Sequence, residues 1–281
     1  MRIANLSVRI ASALAILVAM TGTNANATVI FTDNFFSSTA NDNNINAEIG
    51  ARTSGTATVS SYNEGVGGDW QTQLRTERGG SLLLAPHSAN DANRAKRIWA
   101  GPDLDFNAYF GSAPTNYSFT FDVDPNDTAQ TWAGFTFGVT AANQGSWVNA
   151  NHGGLSVLLR ENGQWAIFDG TDGSNAKVAT GTEAAAGTRN VLLDVFDSGT
   201  DVTLDFSING NLVDSYTYSG SFDGNYVAFS AHANTNLVDD TYGVYFDNFT
   251  VTAVPEPSTY ALMGLCLLGI VFVRRESRWR A

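Results

Sequence analysis

Between Thr28 and Thr252 apolar and polar residues alternate in short runs with a period of two. In NYSFTFDVD (residues 116 to 124) Phe119, Phe121 and Val123 fall on one face, and Ser118, Thr120, Asp122 and Asp124 on the other. In WAGFTFGVT (132 to 140) Phe135, Phe137 and Val139 oppose Trp132, Gly134, Thr136 and Gly138. In DVTLDFSI (201 to 208) Val202, Leu204, Phe206 and Ile208 oppose Thr203, Asp205 and Ser207. Period two with one apolar face predicts antiparallel strands buried on one side. Asn162-Gly163 and Asn209-Gly210 each separate two such runs, and Asn-Gly supplies the positive-φ pair of a tight hairpin turn. Helical periodicity is scarce. About a dozen strands can be counted, which predicts an all-β fold: a large two-sheet antiparallel sandwich. The polar, Asn-rich stretch Ser37 to Asn46 reads as an early loop.

Both ends depart from this pattern. Met1 to Ala27 carries Arg2 and Arg9, an apolar core from Ile10 to Met20, and the small-x-small pair Ala25 and Ala27. That is the layout of a cleaved secretory signal peptide, and the core is too short for a membrane anchor. At the other end Pro255-Glu256-Pro257 precedes an apolar run from Tyr260 to Val273, which stops at Arg274-Arg275. As a helix the run would reach about 21 Å, short of the roughly 30 Å hydrocarbon layer. A temporary span with the arginines held inside fits it better than a permanent one. The prolines keep the preceding segment extended, where a processing enzyme can grip it. A plain tail anchor after a proline linker is the alternative. The expected organisation is therefore a signal peptide (1–27), one β-sandwich (28–253) and a C-terminal segment (254–281) with a short transmembrane helix and an Arg-rich end.

Charge narrows the partners. The body from 28 to 253 holds nine Lys and Arg against 25 Asp and Glu, a net of −16. Such a body repels nucleic acid and attracts cations. The one cysteine, Cys266, lies in the apolar tail. The body thus has no disulfide, although export permits them, and must rely on its core, with a metal ion as an added option.

No HExxH, Gly-x-Ser-x-Gly or phosphate-loop string occurs, and His87, His152 and His232 are far apart. In YVAFSAHA (226 to 233) His232 alternates onto the face of Ser230. Asp169, Asp172 and Asn175 put oxygen ligands on a glycine-flexible loop, as Ca²⁺ requires. Asp124-Pro125-Asn126-Asp127 is a second such loop and Asp239-Asp240 a third, with ordinary Asp/Asn/Gly turns the stronger alternative for each. Trp132, Trp147 and Trp165 are the candidate sugar-stacking rings, with packing as the alternative role. Trp132 sits among Gly134, Thr136 and Gly138, which leave its ring bare. The expectation is one shallow glycan surface built from Trp132, Thr120, Asp122 and Thr203; Trp147, in an amide-rich loop, is a separate candidate ring.

Two resemblances extend this reading. FTDNFF (31 to 36), YFDNFT (245 to 250) and the hairpin SINGNLVDS (207 to 215) resemble the concanavalin A-like lectin/glucanase superfamily, including its laminin-G-like branch. The resemblance implies a jelly roll whose first and last strands lie together; another sandwich with the same patterning stays open. The superfamily's glucanases use a Glu-x-Asp-x-x-Glu strand. This chain lacks that string, its nearest approach being Asp122-Val123-Asp124. The ordered set of Pro255-Glu256-Pro257, apolar run and Arg274-Arg275 resembles the PEP-CTERM sorting signal of Gram-negative bacteria. That implies recognition by an exosortase, a membrane Cys-dependent transpeptidase, in a host that makes exopolysaccharide. The expected protein is exported, passes through the membrane by its tail, and ends at the cell surface or in the extracellular matrix. It is expected to be non-catalytic and to bind carbohydrate or exopolysaccharide. A purely structural or adhesive body and a diverged glycan-active enzyme are the competing readings.

Overall fold

The computed structural model describes residues 27–39, 42, 44–66, 71–75, 80–85, 97–111, 113, 115–125, 131–144, 153–170, 176–184 and 187–254, less 234–242. Within them Val29–Ala253 forms one compact unit. Its strands make two sheets. Sheet A runs in the order β14 (Asn211–Ser219), β13 (Asp201–Ile208), β12 (Arg189–Asp197), β7 (Thr115–Asp124), β16 (Val244–Val254), β1 (Thr28–Asp33), β2 (Thr53–Ser54). Beside this path β5 (Ser81–Ala85) pairs with β16 and with β4 (Gln71–Arg75). Sheet B runs β11 (Ala176–Thr182), β10 (Gln164–Asp169), β9 (Leu155–Arg160), β8 (Thr131–Val139), β15 (Tyr226–Ala233), β6 (Arg97–Pro102), β3 (Tyr62–Val66). The first and last strands, β1 and β16, are neighbours, and the start of β16 pairs with β5.

The alternation read from sequence sets the layers. On β7 burial alternates without a break from Thr115 to Asp124. Phe119 and Phe121 leave sheet A and meet Phe135 and Phe137 from β8 of sheet B, with ring centroids 4.8 to 5.4 Å apart. Phe229 of β15 closes on Phe121, Phe135, Phe246 and Phe249 at 4.8 to 5.8 Å. Offset and edge-on contacts of this kind add about 0.5–1.5 kcal/mol per pair beyond area burial. Trp165 belongs here too: it is buried and edge-on to Phe206.

One polar cluster sits inside the packing. Asp33 of β1 and Arg52 pair at 3.1 Å with both side chains fully buried. The Tyr62 hydroxyl donates to Asp33 Oδ2 at 2.7 Å, and the Phe35 N–H donates to Oδ1 at the same distance. Asp33 is thus saturated by donors, the condition under which a buried carboxylate is tolerated. Burial nevertheless holds its pKa above the ordinary value, against the pull of Arg52.

The described residues form sixteen strands where about a dozen stand out in the sequence. The additional ones, such as β2 and β4, are short and show no alternation, and neighbouring strands recruit them. The two Asn-Gly turns also differ. Asn209 and Gly210 both take positive φ, 51° and 77°, as a two-residue hairpin needs. At the β9–β10 turn only Gly163 does, at 84°. There the loop includes Glu161, and the Gly163 N–H donates back to the Arg160 carbonyl, so one left-handed residue closes it.

Candidate functional site

Each sheet has an outward face, and the two faces differ in charge. Alternation on sheet A turns Ser118, Thr120, Asp122 and Asp124 of β7 away from the core, with Asn190, Leu192, Asp194 and Phe196 of β12 and Thr203 and Asp205 of β13. Asp194 lies opposite Asp205. Burial, with Asp205 adding to it, raises the Asp194 pKa. Asp122 is committed to the sheet itself: its two carboxylate oxygens accept from Asn190 Nδ2 at 2.9 Å and Asn248 Nδ2 at 2.8 Å. It ties β12, β7 and β16 together.

On sheet B the outward residues line up in rows across strands. One row reads His232, Trp132, Arg160, from β15 through β8 to β9, and Arg97 of β6 occupies the register position beyond His232. Two residues further along, the next row reads Trp99, Ser230, Gly134, Leu158. The third contains Ala228, Thr136, Ser156 and Phe168. At the middle, Thr136, Ser156 and Ser230 are fully buried although they point away from the sandwich core. Thr136 and Ser156 share a hydrogen bond of 2.8 Å, while the Ser230 hydroxyl has no partner. Around them Trp99, Trp132, Arg160, Phe168 and His232 are half-exposed. Trp99 lies across Gly65 of β3, where any Cβ would collide with the indole nitrogen.

Arg160 sets the chemistry of this face. Its guanidinium carbon stands 4.0 Å above the centroid of the Trp132 ring, a cation–π contact. Nη1 donates to Gln164 Oε1 at 2.9 Å, and Nε is buried without a partner. Burial alone pulls its pKa down; no acid acts on it. Its backbone carbonyl meanwhile accepts from the buried Arg189, which fastens β12 to the β9–β10 turn.

The structure separates the residues expected to form one glycan surface. Trp132 is on the outward face of sheet B, whereas Thr120, Asp122 and Thr203 are on that of sheet A, across the thickness of the sandwich. Alternation assigns faces within a strand but not which sheet the strand joins. The Trp132 ring is also not bare, because Arg160 covers one side of it. The shared face of His232 and Ser230 is as the alternation requires. Trp99 and Arg160 escaped the sequence reading, although the LSVLLR alternation assigns Arg160 to the polar side of its strand. Asp169 is buried at the end of β10, and its Oδ2 accepts from the Tyr216 hydroxyl at 2.6 Å, joining β10 to β14. Asp172, Asn175, Trp147, Ala25 and the tail residues Pro255, Glu256, Pro257, Arg274 and Arg275 lie outside the described residues; Ala27 is exposed. Among the described residues no group of three or more His, Cys, Asp or Glu is placed to hold a metal ion. Nor, among them, is any helix long and apolar enough to cross a membrane.

Comparison with known proteins agrees with both readings of the chain. Residues 253–275 match the PEP-CTERM protein-sorting motif. The fold is that of the concanavalin A-like lectins and glucanases. An endo-1,3-β-glucanase from Streptomyces sioyaensis superimposes with a TM-score of 0.50 at 12% identity, covering 81% of this chain and 96% of its own. Arcelin-5, a lectin-like defence protein from Phaseolus vulgaris, covers 81% and 99% with a TM-score of 0.46 at 10% identity. The carbohydrate-binding module CBM66 from Bacillus subtilis covers 69% and 96% with a TM-score of 0.43 at 11% identity. No curated protein matches by sequence.

Asp247 provides a pH handle on sheet A. Burial, with Asp122 and Asp33 nearby, pushes its pKa from 3.8 to about 6, although the Asn248 N–H donates to it. A raised folded-state pKa means that the proton stabilises the fold. This contribution is complete below about pH 4 and is lost as pH rises through about 6. Asp247→Asn should therefore melt higher than the parent at pH 7.5, and the two melting temperatures should converge near pH 4. Parallel pH profiles would remove Asp247 as the cause.

Proposed function

We propose that this is an exported protein whose C-terminal motif carries it through an exosortase-type transpeptidase to the surface or matrix of a Gram-negative cell. Its body is non-catalytic and holds carbohydrate, with exopolysaccharide the natural candidate, on the outward face of sheet B. The observation that carries this reading is the placement of two part-exposed tryptophans, Trp99 and Trp132, on one outward face, with the Arg160 guanidinium against the Trp132 ring. Amphipathic rings with hydroxyl and guanidinium neighbours suit sugars, which present apolar C–H faces edged by hydroxyl groups. The non-catalytic part rests on the side chains of that face. Its described residues include no Asp or Glu, whereas glycoside hydrolysis needs two carboxyl groups flanking the bond.

The sorting part has a geometric limit. β16 runs to Val254 and lies inside sheet A between β7 and β1, so processing that spares the fold must cut after that residue. Intact-mass spectrometry of the surface fraction should find a chain ending shortly after Val254, near Pro257. A surface-located chain that retains Ala281 would overturn the processing step.

The glycan part is tested by Trp132→Ala. Trp132 faces away from the core, so the change should cost less than truncating a core ring, which is about 3–5 kcal/mol, and the variant should stay folded. Binding to the host's own polysaccharide in pull-downs should fall about tenfold, as for an anchoring ring in a binding face. Undiminished binding by a folded variant would move the site elsewhere. If the folded parent binds no glycan at all, the body is a structural or adhesive module.

A further inference from the structure

The sheet B face has a charge opposite to that of the body that carries it. The body totals −16, and acids stand on the outward face of sheet A: Asp122, Asp124, Asp194 and Asp205. The described residues of the outward face of sheet B include none. Their charged members are Arg160 and, two strands on, the exposed Lys177, which lies opposite Phe168. Histidine (His232) stands in the same row as Arg160, and Arg97 takes the register position beyond it. The alternation that builds the sandwich thus separates the charge between its two sides.

Arg160 shows what this face lacks. A guanidinium has five N–H donors and no acceptor. Here one is spent on a neutral amide, and Nε is buried with no partner. The two buried arginines are engaged within the fold, Arg52 with Asp33 and Arg189 with two carbonyls, although each also has one buried nitrogen without a partner; what sets Arg160 apart is its place on the outward face with no carboxylate against it. In a chain with 25 acids in its body, an arginine that is left without a carboxylate, stacked flat on a tryptophan and half-open to solvent, is set up for an anion from outside. A planar guanidinium pairs with carboxylates through parallel hydrogen bonds, and these are shorter and stronger than neutral ones.

We infer that the outward face of sheet B selects an acidic polysaccharide, one bearing carboxylates on its sugar rings, with Arg160 as the residue that recognises the carboxylate and Trp132 and Trp99 as the ring platforms. This rests on the reading of that face as the glycan site and adds the charge of its ligand. The net −16 does not forbid it, because exposed charges are screened beyond about 8 Å at physiological salt. The acids of sheet A lie on the other side of the sandwich, so the local field at sheet B belongs to Arg160, Lys177 and their neighbours. The acidic side in turn turns the polymer away from the wrong face, which gives binding one orientation.

The test uses the mature chain and two immobilised polymers, polygalacturonate and neutral galactan, with Arg160→Gln as the variant and thermal melts run alongside. The expected result is binding to polygalacturonate over galactan, a loss of about tenfold or more in Arg160→Gln with folding intact, and weaker binding as sodium chloride is raised from about 0.05 to about 0.5 M. Equal binding to both polymers, or polygalacturonate binding that Arg160→Gln leaves unchanged, overturns the acidic selectivity and leaves the glycan face standing. Binding to neither overturns both. If Arg160→Gln fails to fold, Lys177→Gln, at an exposed position, and the salt titration of the parent decide: insensitivity to both contradicts the inference.

Discussion

Everything else in this protein depends on the phenylalanine packing between the two sheets. The body has no cysteine, the only one being Cys266 in the tail, so no covalent link holds the layers. Phe119 and Phe121 from sheet A and Phe135, Phe137 and Phe229 from sheet B do so instead, together with Phe246 and Phe249 of the closing strand. Each buried ring contributes roughly 1.5–3 kcal/mol by area. Because this core takes only every second residue of each strand, the alternate residues are released from packing. Two outward faces result, and each can be given its own chemistry without altering the fold.

That freedom is used asymmetrically. Sheet A faces outward with aspartates, asparagines and hydroxyls bonded to one another across strands, as in the Asn190–Asp122–Asn248 bridge and the Ser118–Thr252 and Thr203–Thr217 pairs. Its polar groups are largely satisfied within the sheet. Sheet B faces outward with tryptophan, arginine, histidine and a serine hydroxyl that has no partner. A face whose polar groups bond to one another supports structure, whereas part-exposed rings beside a guanidinium without a carboxylate leave surface for a ligand. The C-terminal strand connects this division to export. β16 is an interior strand of sheet A, and the sorting motif begins within its last two residues, at 253.

The legible part of the fold was whatever alternation and turn chemistry encode. Phe119, Phe121 and Val123 fixed the buried face of β7, Asn209-Gly210 fixed a hairpin, and the FTDNFF and YFDNFT segments pointed to first and last strands that lie next to each other in one sheet. Strand-to-sheet assignment was not legible, because it is decided by pairing between residues distant in the chain. This is why Trp132 and Asp122 read as one surface and stand on two. Asp122 illustrates a second limit: its role follows from Asn190, 68 positions on, and Asn248, 126 positions on. Arg160 illustrates a third. A strand-ending arginine reads as an ordinary solvated charge, and only the neighbouring strand that brings Trp132 beneath it gives it a direction.

The central claim is that ligand goes to sheet B and not to sheet A. Chemical-shift mapping of the mature, ¹⁵N-labelled protein during titration with an oligogalacturonate tests it most directly. The indole N–H signals of Trp132 and Trp99 and the backbone amides of Arg160 and Ser230 should move together. The buried Trp165 indole and the amides of Thr203 and Thr217 on sheet A should stay in place. Shifts centred on Thr203, Asp205 and Thr217, with Trp132 unmoved, would contradict the account.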